Sequence, residues 1–393
     1  MDPIQDEPPP GTAGSQSETA APPPRLTLVI SSLEMGGAER VMTELANHWA
    51  TEGWTVTILH YSQPGTPPAY PLDSRVREVP LGLHRISRSP ISATFNNLRR
   101  ILVLRRAIRA TQPDIILSFM ANAMTVLATT RFGIPVIVSE HRGPLGELNL
   151  PWTILRELTY RRAAFVVMLT PDALAQLSPA LRRHGRVVPN PLPSPFLKRA
   201  VAPAAADDGA TADGPTIMGL GRLGPEKGFD LLIEAFARIA ASWPTARLVI
   251  WGEGDERVRL EGIRASHDLV ERVALPGTTS VPEDVLLSAT VFVLSSRKEG
   301  LPMALIEAMA LGRAVVACDC DHGPRDIIRH GVDGLLVPPE DVEALACAID
   351  GLLGDDARRT SLARRAVEVR NRFTIEAVSA QWEMLFREAM RGR

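Results

Sequence analysis

Lysine is nearly absent from this chain: of its 43 basic residues only Lys198, Lys227 and Lys298 are lysines, so each of the three stands out against an arginine-rich background. Cysteine is as scarce. Cys318, Cys320 and Cys347 are too few for a disulfide framework, and the single residue between the first two is the wrong spacing for a metal knuckle. All three are expected to be buried small side chains. Long apolar runs are missing as well: none approaches the roughly 18 residues that a spanning helix needs. Residues 1–24 have neither a basic start nor an apolar signal core. These absences argue against a disulfide-stapled secreted domain and a spanning protein, and the expected location is cytoplasmic. The formal net charge is only −2, and no nucleic acid is expected as a partner.

What is present is enough chain for two cores. At 393 residues the length exceeds what one hydrophobic core ordinarily supports. The small net charge conceals an asymmetry. Residues 25–200 carry 21 Lys and Arg against 11 Asp and Glu, whereas residues 201–393 carry 22 against 30. The first half is basic and the second acidic.

Residues 1–24 hold two runs of three prolines among mostly small polar residues; such a tail cannot bury apolar surface and is expected to be disordered. Order is expected to begin at the strand LTLVI (26–30). The loop SSLEMGG follows, then a helix in which Val41, Met42, Leu45, Ala46 and Trp49 recur at helical spacing, then the strand WTVTILHY. Strand, glycine loop, helix and strand make a βαβ unit and imply a parallel sheet. A helix near 95–110 and the strands DIILSF, PVIVSE and AAFVVMLT continue the pattern. A Pro/Ala/Asp-rich stretch, 189–215, reads as a linker, after which TIMGLG, RLVIWGEG, RVALPG, TVFVLSS, AVVACD and GLLVP restart the rhythm between helical segments. The expected division is a first Rossmann-like domain over 25–188 that takes an acceptor, a linker, a second Rossmann-like domain over 216–373 that takes a donor, and a final helix at 374–393 packing back towards the first. Ligands in such sheets bind beyond the carboxyl ends of the strands.

Four stretches could carry chemistry there. In GLGRLGPEKGFDLL (219–232) a glycine turn leads through Arg222 and Lys227 into a helix start, which is an anion cradle of backbone amides and two cations. Neither the dinucleotide fingerprint nor the Walker A pattern fits it. In SRKEGLPMALIEA (296–308) Glu299 and Glu307 bracket a Gly-Leu-Pro turn and another helix start. Taken alone, Glu299 can be a charge complementing a helix dipole and Glu307 a solvated surface group. Gly36 and Gly37 in SLEMGGAER permit close backbone approach but lack a third glycine. His141 in VSEHRGP ends a strand, where it is either a structural histidine or one facing the cleft. Asp319-Cys320-Asp321 imitates a metal-binding pair yet has no third ligand in sight, so no metal site is expected.

Taken together, GGAER, EHRGP, GRLGPEKG, VIWGEGDE, EGLPMALIEAMALGRAVVACD and GPRDIIRHGVDGLLVPP resemble the retaining GT-B glycosyltransferases of glycosyltransferase family 4, over about 26–390. Among these, the chain resembles enzymes that extend undecaprenyl-diphosphate-linked oligosaccharides, such as the α-1,4-N-acetylgalactosaminyltransferases. The resemblance implies the GT-B fold, two Rossmann-like domains facing each other across a cleft. It also implies a retaining transfer of a hexose or N-acetylhexosamine from a nucleotide-sugar, expected to be UDP-linked, to a lipid-diphosphate-linked or other glycan acceptor, without a metal or other cofactor. Carried over by position, Arg222 and Lys227 bind the donor diphosphate, Glu299 contacts the donor sugar, the segment Gly300, Leu301, Pro302 and Met303 meets phosphate or sugar, and Glu307 accepts from the ribose hydroxyls. His141 touches the sugar from the other domain, and Gly36 and Gly37 let the first-domain loop close over the diphosphate. Glu299, His141, Arg222 and Lys227 are the expected catalytic set.

The basic first half suits the acceptor side. In FNNLRRILVLRRAIRA (95–110) helical geometry puts Arg99, Arg105, Arg106 and Arg109 on one side with Phe95, Leu98 and Leu102, while Ile101, Leu104 and Ile108 lie opposite. Arginines mixed with large apolar residues suit anionic headgroups or a lipid diphosphate, so peripheral contact with the inner membrane is expected. A sugar-nucleotide epimerase on the same architecture and a non-catalytic two-domain sugar or nucleotide binder are the alternatives.

Overall fold

The computed structural model describes residues 23–84, 90–141, 150–199, 210–211, 214–321 and 323–392. The tail 1–22, the arginine of EHRGP and the glycine after it lie outside those residues.

Seven strands form the first sheet: β1 (Arg25–Ile30), β2 (Thr55–His60), β3 (Arg77–Pro80), β4 (Ile115–Phe119), β5 (Val136–Ser139), β6 (Phe165–Met168) and β7 (Gly185–Val187). Their order across the sheet is β3-β2-β1-β4-β5-β6-β7, and every pairing is parallel. The short hairpin strand β8 (Ala210–Thr211) opens the second half. It is followed by β9 (Gly214–Leu220), β10 (Arg247–Trp251), β11 (Val273–Gly277), β12 (Val291–Leu294), β13 (Ala314–Cys318) and β14 (Leu335–Val337), in the parallel order β11-β10-β9-β12-β13-β14. Both sheets therefore reverse winding once, between β1 and β4 and between β9 and β12, and a doubly wound sheet offers its ligand crevice there. Central strands are buried on both faces, which is why IILSF and AVVAC read as continuous runs rather than alternating ones. The two Rossmann-like sheets are the GT-B architecture anticipated above. The short strands REVP and GRV have no apolar run and were not anticipated.

Among the helices on the first sheet, α1 (Gly37–Thr51) lies on one face and α2 (Pro90–Thr111), α3 (Asn122–Ala128) and α4 (Leu150–Tyr160) on the other. The final helix, Ile375–Arg391, joins α1 on its face: Val378, Trp382 and Phe386 are buried in the first sheet's core, with the Phe386 ring centroid 5.3 Å from that of Trp49. The segment read as a linker is partly built into the second core, since Leu192 and Phe196 are buried among Met218, Phe292 and Leu305. Two of the three cysteines are buried as expected. Cys347 is not: it sits on the exposed side of its helix beside Glu343, because the buried stripe there passes through Leu345, Ala346 and Ile349.

Candidate active site

The loops that follow β9 and β12, the two strands flanking the second switch point, are stitched together by backbone contacts. The Arg297 amide donates to the Glu226 carbonyl at 2.8 Å, and the Ser295 hydroxyl donates to the Lys227 carbonyl at 3.0 Å. Gly228 makes this approach possible. Its φ is +60°, and a Cβ added there would lie 2.2 Å from the Ser295 carbonyl oxygen, so no other residue fits without moving the β12 loop. Behind the junction Arg297 holds Asp230 and Glu340. Burial would raise the Asp230 carboxyl, but the guanidinium groups of Arg297 and Arg259 outweigh it and hold Asp230 below the ordinary carboxylate range.

The stitching brings Lys227 to Glu299. The lysine Nζ lies 2.7 Å from Glu299 Oε1, and the Ser296 hydroxyl donates to the same oxygen at 2.6 Å. Glu299 is buried and Lys227 mostly so, which makes the pair a pre-positioned charge arrangement rather than a solvated surface bridge. From Glu299 the chain passes through Gly300 and Leu301 to Pro302, which caps the helix Met303–Ala310 rather than starting it. The first amides to return to an acceptor are those of Leu305 and Ile306, both to the Pro302 carbonyl, so the amides of Met303 and Ala304 lie in the turn that has no intrahelical acceptor.

Glu307 follows one turn further on and is buried. The carboxyl is pushed up to about 7, by burial first, with Glu44 and Glu283 adding to the rise and Arg40 opposing it. Arg40 comes from α1 of the other half: its Nη1 lies 3.7 Å from Glu307 and its Nε 3.6 Å from Glu44. This contact across the two halves was missed from the sequence, although its signal lay in the ER of GGAER.

The other expected residues fall around this cluster, not all in it. Arg222 is exposed and bound at 2.6 Å to Glu226 within its own loop. Gly36 and Gly37 stand at the start of α1, where the Glu39 carboxylate covers Gly36 and is held by the Ser32 hydroxyl, while the Cα of Gly37 faces open space. His141 stacks on Phe119 with centroids 3.9 Å apart, and its Nε2 is 3.1 Å from the Ser139 hydroxyl. Its Nδ1 is covered without a partner, and burial pushes the imidazole down to about 3, so it is neutral at any working pH. Asp319 is taken by Arg325 and the Asp321 carbonyl by the Glu299 amide; among the described residues no cluster of three metal-ligating side chains occurs.

The arginine face of α2 needs a correction. Leu104 and Ile108 are buried, and Phe95, Leu98 and Leu102 are exposed, but Arg105 is not free on that surface. It donates to the carbonyls of Ala128 and Thr130 and stacks over Phe132, and Arg109 stacks over the same ring. The β4–β5 connection supplies an aromatic and two open carbonyls that the helix pattern alone does not reveal. Arg106 stays exposed and Arg99 half-buried.

Two doubly wound sheets, each with a glycine loop and a helix start at its switch point, offer two crevices suited to an anionic ligand. The sequence families agree: residues 36–193 match the glycosyl transferase 4-like domain and residues 205–369 the glycosyl transferases group 1. The chain belongs to these glycosyltransferases. An exopolysaccharide phosphotransferase of Streptomyces coelicolor is 32% identical over 92% of this chain, which spans only 40% of that relative's length. A Campylobacter jejuni α-1,4-N-acetyl-D-galactosaminyltransferase, named for a PP-undecaprenol-linked acceptor, is 25% identical over 93% of this chain and 98% of its own. Among solved structures, a sucrose-phosphate synthase of Thermosynechococcus elongatus superposes with a TM-score of 0.79 at 22% identity, covering 94% of this chain and all of that one. HepE of Anabaena, solved in complex with UDP, gives 0.73 at 16% identity, covering 93% and all. These structures carry the fold alone.

Proposed function

We propose that the protein transfers a hexose or N-acetylhexosamine from a UDP-sugar to a lipid-diphosphate-linked or other glycan acceptor, with retention at the anomeric carbon and without a metal. The observation that carries this reading is the Lys227–Glu299–Ser296 cluster at the switch point of the second sheet, with the buried Glu307 one turn into the helix that follows it. Support for the donor and acceptor classes comes from the UDP bound to HepE and from the acceptor in the name of the Campylobacter relative.

Departure of a nucleoside diphosphate develops negative charge on the leaving phosphate. Lys227 and the open amides at the start of the helix Met303–Ala310 are positioned to stabilise it, and Arg222 joins them once it leaves Glu226. Glu299, steadied by Ser296 and Lys227, accepts from donor sugar hydroxyls, and the ionised Glu307 accepts from the ribose. His141, neutral, offers a hydrogen bond rather than a charge. Closure of the Gly36-Gly37 loop over the diphosphate excludes water that would hydrolyse the donor. The acceptor attacks from the face the leaving group vacates, and the donor phosphate takes its proton, so no protein nucleophile is assigned.

The acceptor is delivered at an anionic lipid surface. Among the described residues no helix is long and apolar enough to cross a membrane. However, α2 exposes Phe95, Leu98 and Leu102 and α4 exposes Leu150, Ile154 and Leu158, on helices that both pack against α3, with Arg106 beside them. Apolar side chains rimmed by arginine suit a headgroup boundary rather than bulk water.

Release of nucleoside diphosphate from UDP-, GDP- and ADP-sugars, with and without a crude lipid-linked oligosaccharide fraction, tests the whole reading. UDP release that rises with the acceptor fraction and survives EDTA is expected. Epimerised donor without release, or a strict metal requirement, contradicts it.

A further inference from the structure

The contact that marks the donor site is one that a donor would disturb. Lys227 and Glu299 hold each other at 2.7 Å, and on the donor reading each is needed elsewhere, the lysine by a diphosphate and the carboxylate by a sugar. The two loops that carry them therefore need a tie that no ligand takes away.

Arg297 makes such a tie. It stands on the loop after β12, next to Ser296 and two residues before Glu299, and its guanidinium crosses to the loop after β9, which it grips on both sides of Lys227. Nη1 donates to the Pro225 carbonyl at 3.1 Å, before the lysine, and to Asp230 Oδ1 at 2.7 Å, after it; Nη2 donates to Asp230 Oδ2 at 3.0 Å. The two bonds to Asp230 form a planar fork, which fixes direction as well as distance and which a lysine could not reproduce. Asp230 is buried at the start of the helix Phe229–Ile239, and the exposed Arg259 reaches the same carboxylate at 3.0 Å without contacting the lysine's loop otherwise.

Glu340 holds the third edge of the guanidinium. Its carboxylate lies 2.6 Å from Arg297 Nε, and its backbone has a φ of +60°, a left-handed conformation rare for a residue with a side chain. Glycine would take that conformation without strain, whereas the glutamate keeps a carboxylate on Arg297. None of these contacts uses the side chains of Lys227, Ser296 or Glu299, so a ligand that takes those groups leaves the tie in place.

We propose that Arg297 is the positioning residue of the donor site. By gripping Pro225 and Asp230 it fixes where the Lys227 ammonium stands relative to Glu299, so a diphosphate meets the lysine already in place. This role rests on the donor reading of Lys227 and Glu299.

Calorimetric titration of UDP into the full chain, at a temperature where each variant is folded, tests the role alongside the melting temperatures. Arg297→Gln and Arg259→Gln each leave the other cation on Asp230, and only Arg297 joins the lysine's loop to the Glu299 loop. Arg297→Gln is expected to weaken UDP about fivefold or more, Arg297→Lys, which keeps the charge and loses the fork, by less, and Arg259→Gln not at all. A residue that acts through Lys227 has a further signature: in the Lys227→Ala background Arg297→Gln should add less than about twofold. A role confined to stability would lower the melting temperature and leave the UDP affinity of the folded protein unchanged. UDP affinity unaltered by Arg297→Gln, weakened equally by Arg259→Gln, or weakened by the same factor with and without Lys227 overturns the role. Should Arg297→Gln not fold, Arg297→Lys carries the same comparisons, with about a threefold loss expected. A wild type that binds no UDP removes the donor site and this role with it, whereas UDP binding weakened by Lys227→Ala and by neither Arg297 variant removes only the role of Arg297.

Discussion

Glu307 sits where a carboxylate is costly to ionise. Burial raises it to about 7 in the ligand-free protein, so the protonated form is favoured on folding. The stabilisation from that group is complete below the ordinary glutamate range and is lost as pH rises through 7. On the proposed donor reading, nucleotide binding runs the other way, because ribose hydroxyls donate to the ionised form. UDP affinity is therefore expected to drop between pH 8 and pH 6 by up to about tenfold more in the wild type than in Glu307→Gln, a difference that removes the titration of UDP itself. Equal pH profiles in the two proteins would remove Glu307 from the site. Arg40 lowers the Glu307 carboxyl, so Arg40→Gln should move the midpoint of that profile upward; a midpoint unchanged or moved down would contradict the contact.

At this scale the sequence was partly legible. Glu299 and Lys227 could be singled out because each stands at a strand end beside a helix start, a local pattern. Arg40 could not be matched to Glu307, because that contact is made by the packing of distant segments and leaves no spacing signal.

Among the elements, the junction between the β9 and β12 loops depends on one left-handed glycine. Gly228→Ala meets the Ser295 carbonyl and should cost more than about 1 kcal/mol in chemical denaturation, while displacing Lys227 and weakening UDP. Wild-type stability together with wild-type UDP affinity would show that the junction relaxes freely. The exposed apolar residues of α2 and α4 make a separate prediction. Liposomes containing anionic lipid should float the wild type, and Leu98→Glu with Leu158→Glu should leave the protein in the soluble fraction without altering UDP binding. A wild type that never floats removes the membrane from the account. The apolar core stripe of α2 was readable from its helical period, whereas the loss of Arg105 to Phe132 and two carbonyls was not, since the partners come from a loop more than 20 residues away. Likewise the strands with apolar runs were found, and REVP and GRV were hidden because an edge position asks for little burial.

Across the whole molecule, the doubly wound order occurs twice, Arg40 of the first half reaches Glu307 of the second, and the chain crosses between the halves twice. The first crossing buries Leu192 and Phe196 in the second core, and the return buries Trp382 and Phe386 in the first. Removing the Phe386 ring from beside Trp49 and Trp54 should destabilise the protein by about 3–5 kcal/mol, read from denaturant midpoints. A change under about 1 kcal/mol would mean that the final helix is not part of that core. The repeat was legible because strand, glycine loop and helix recur at both starts, and the return of the final helix was expected; the burial of the first crossing was not, because it looked like a proline-rich linker.

The central claim is that Lys227, Glu299 and Glu307 form the donor site. Isothermal titration of UDP into the wild type, Lys227→Ala and Glu307→Ala, each checked for fold by circular dichroism, tests it most directly. Binding by the wild type with at least about a tenfold loss in each folded variant is the predicted result. A wild type that binds no UDP, or folded variants that bind it as well as the wild type does, would contradict it.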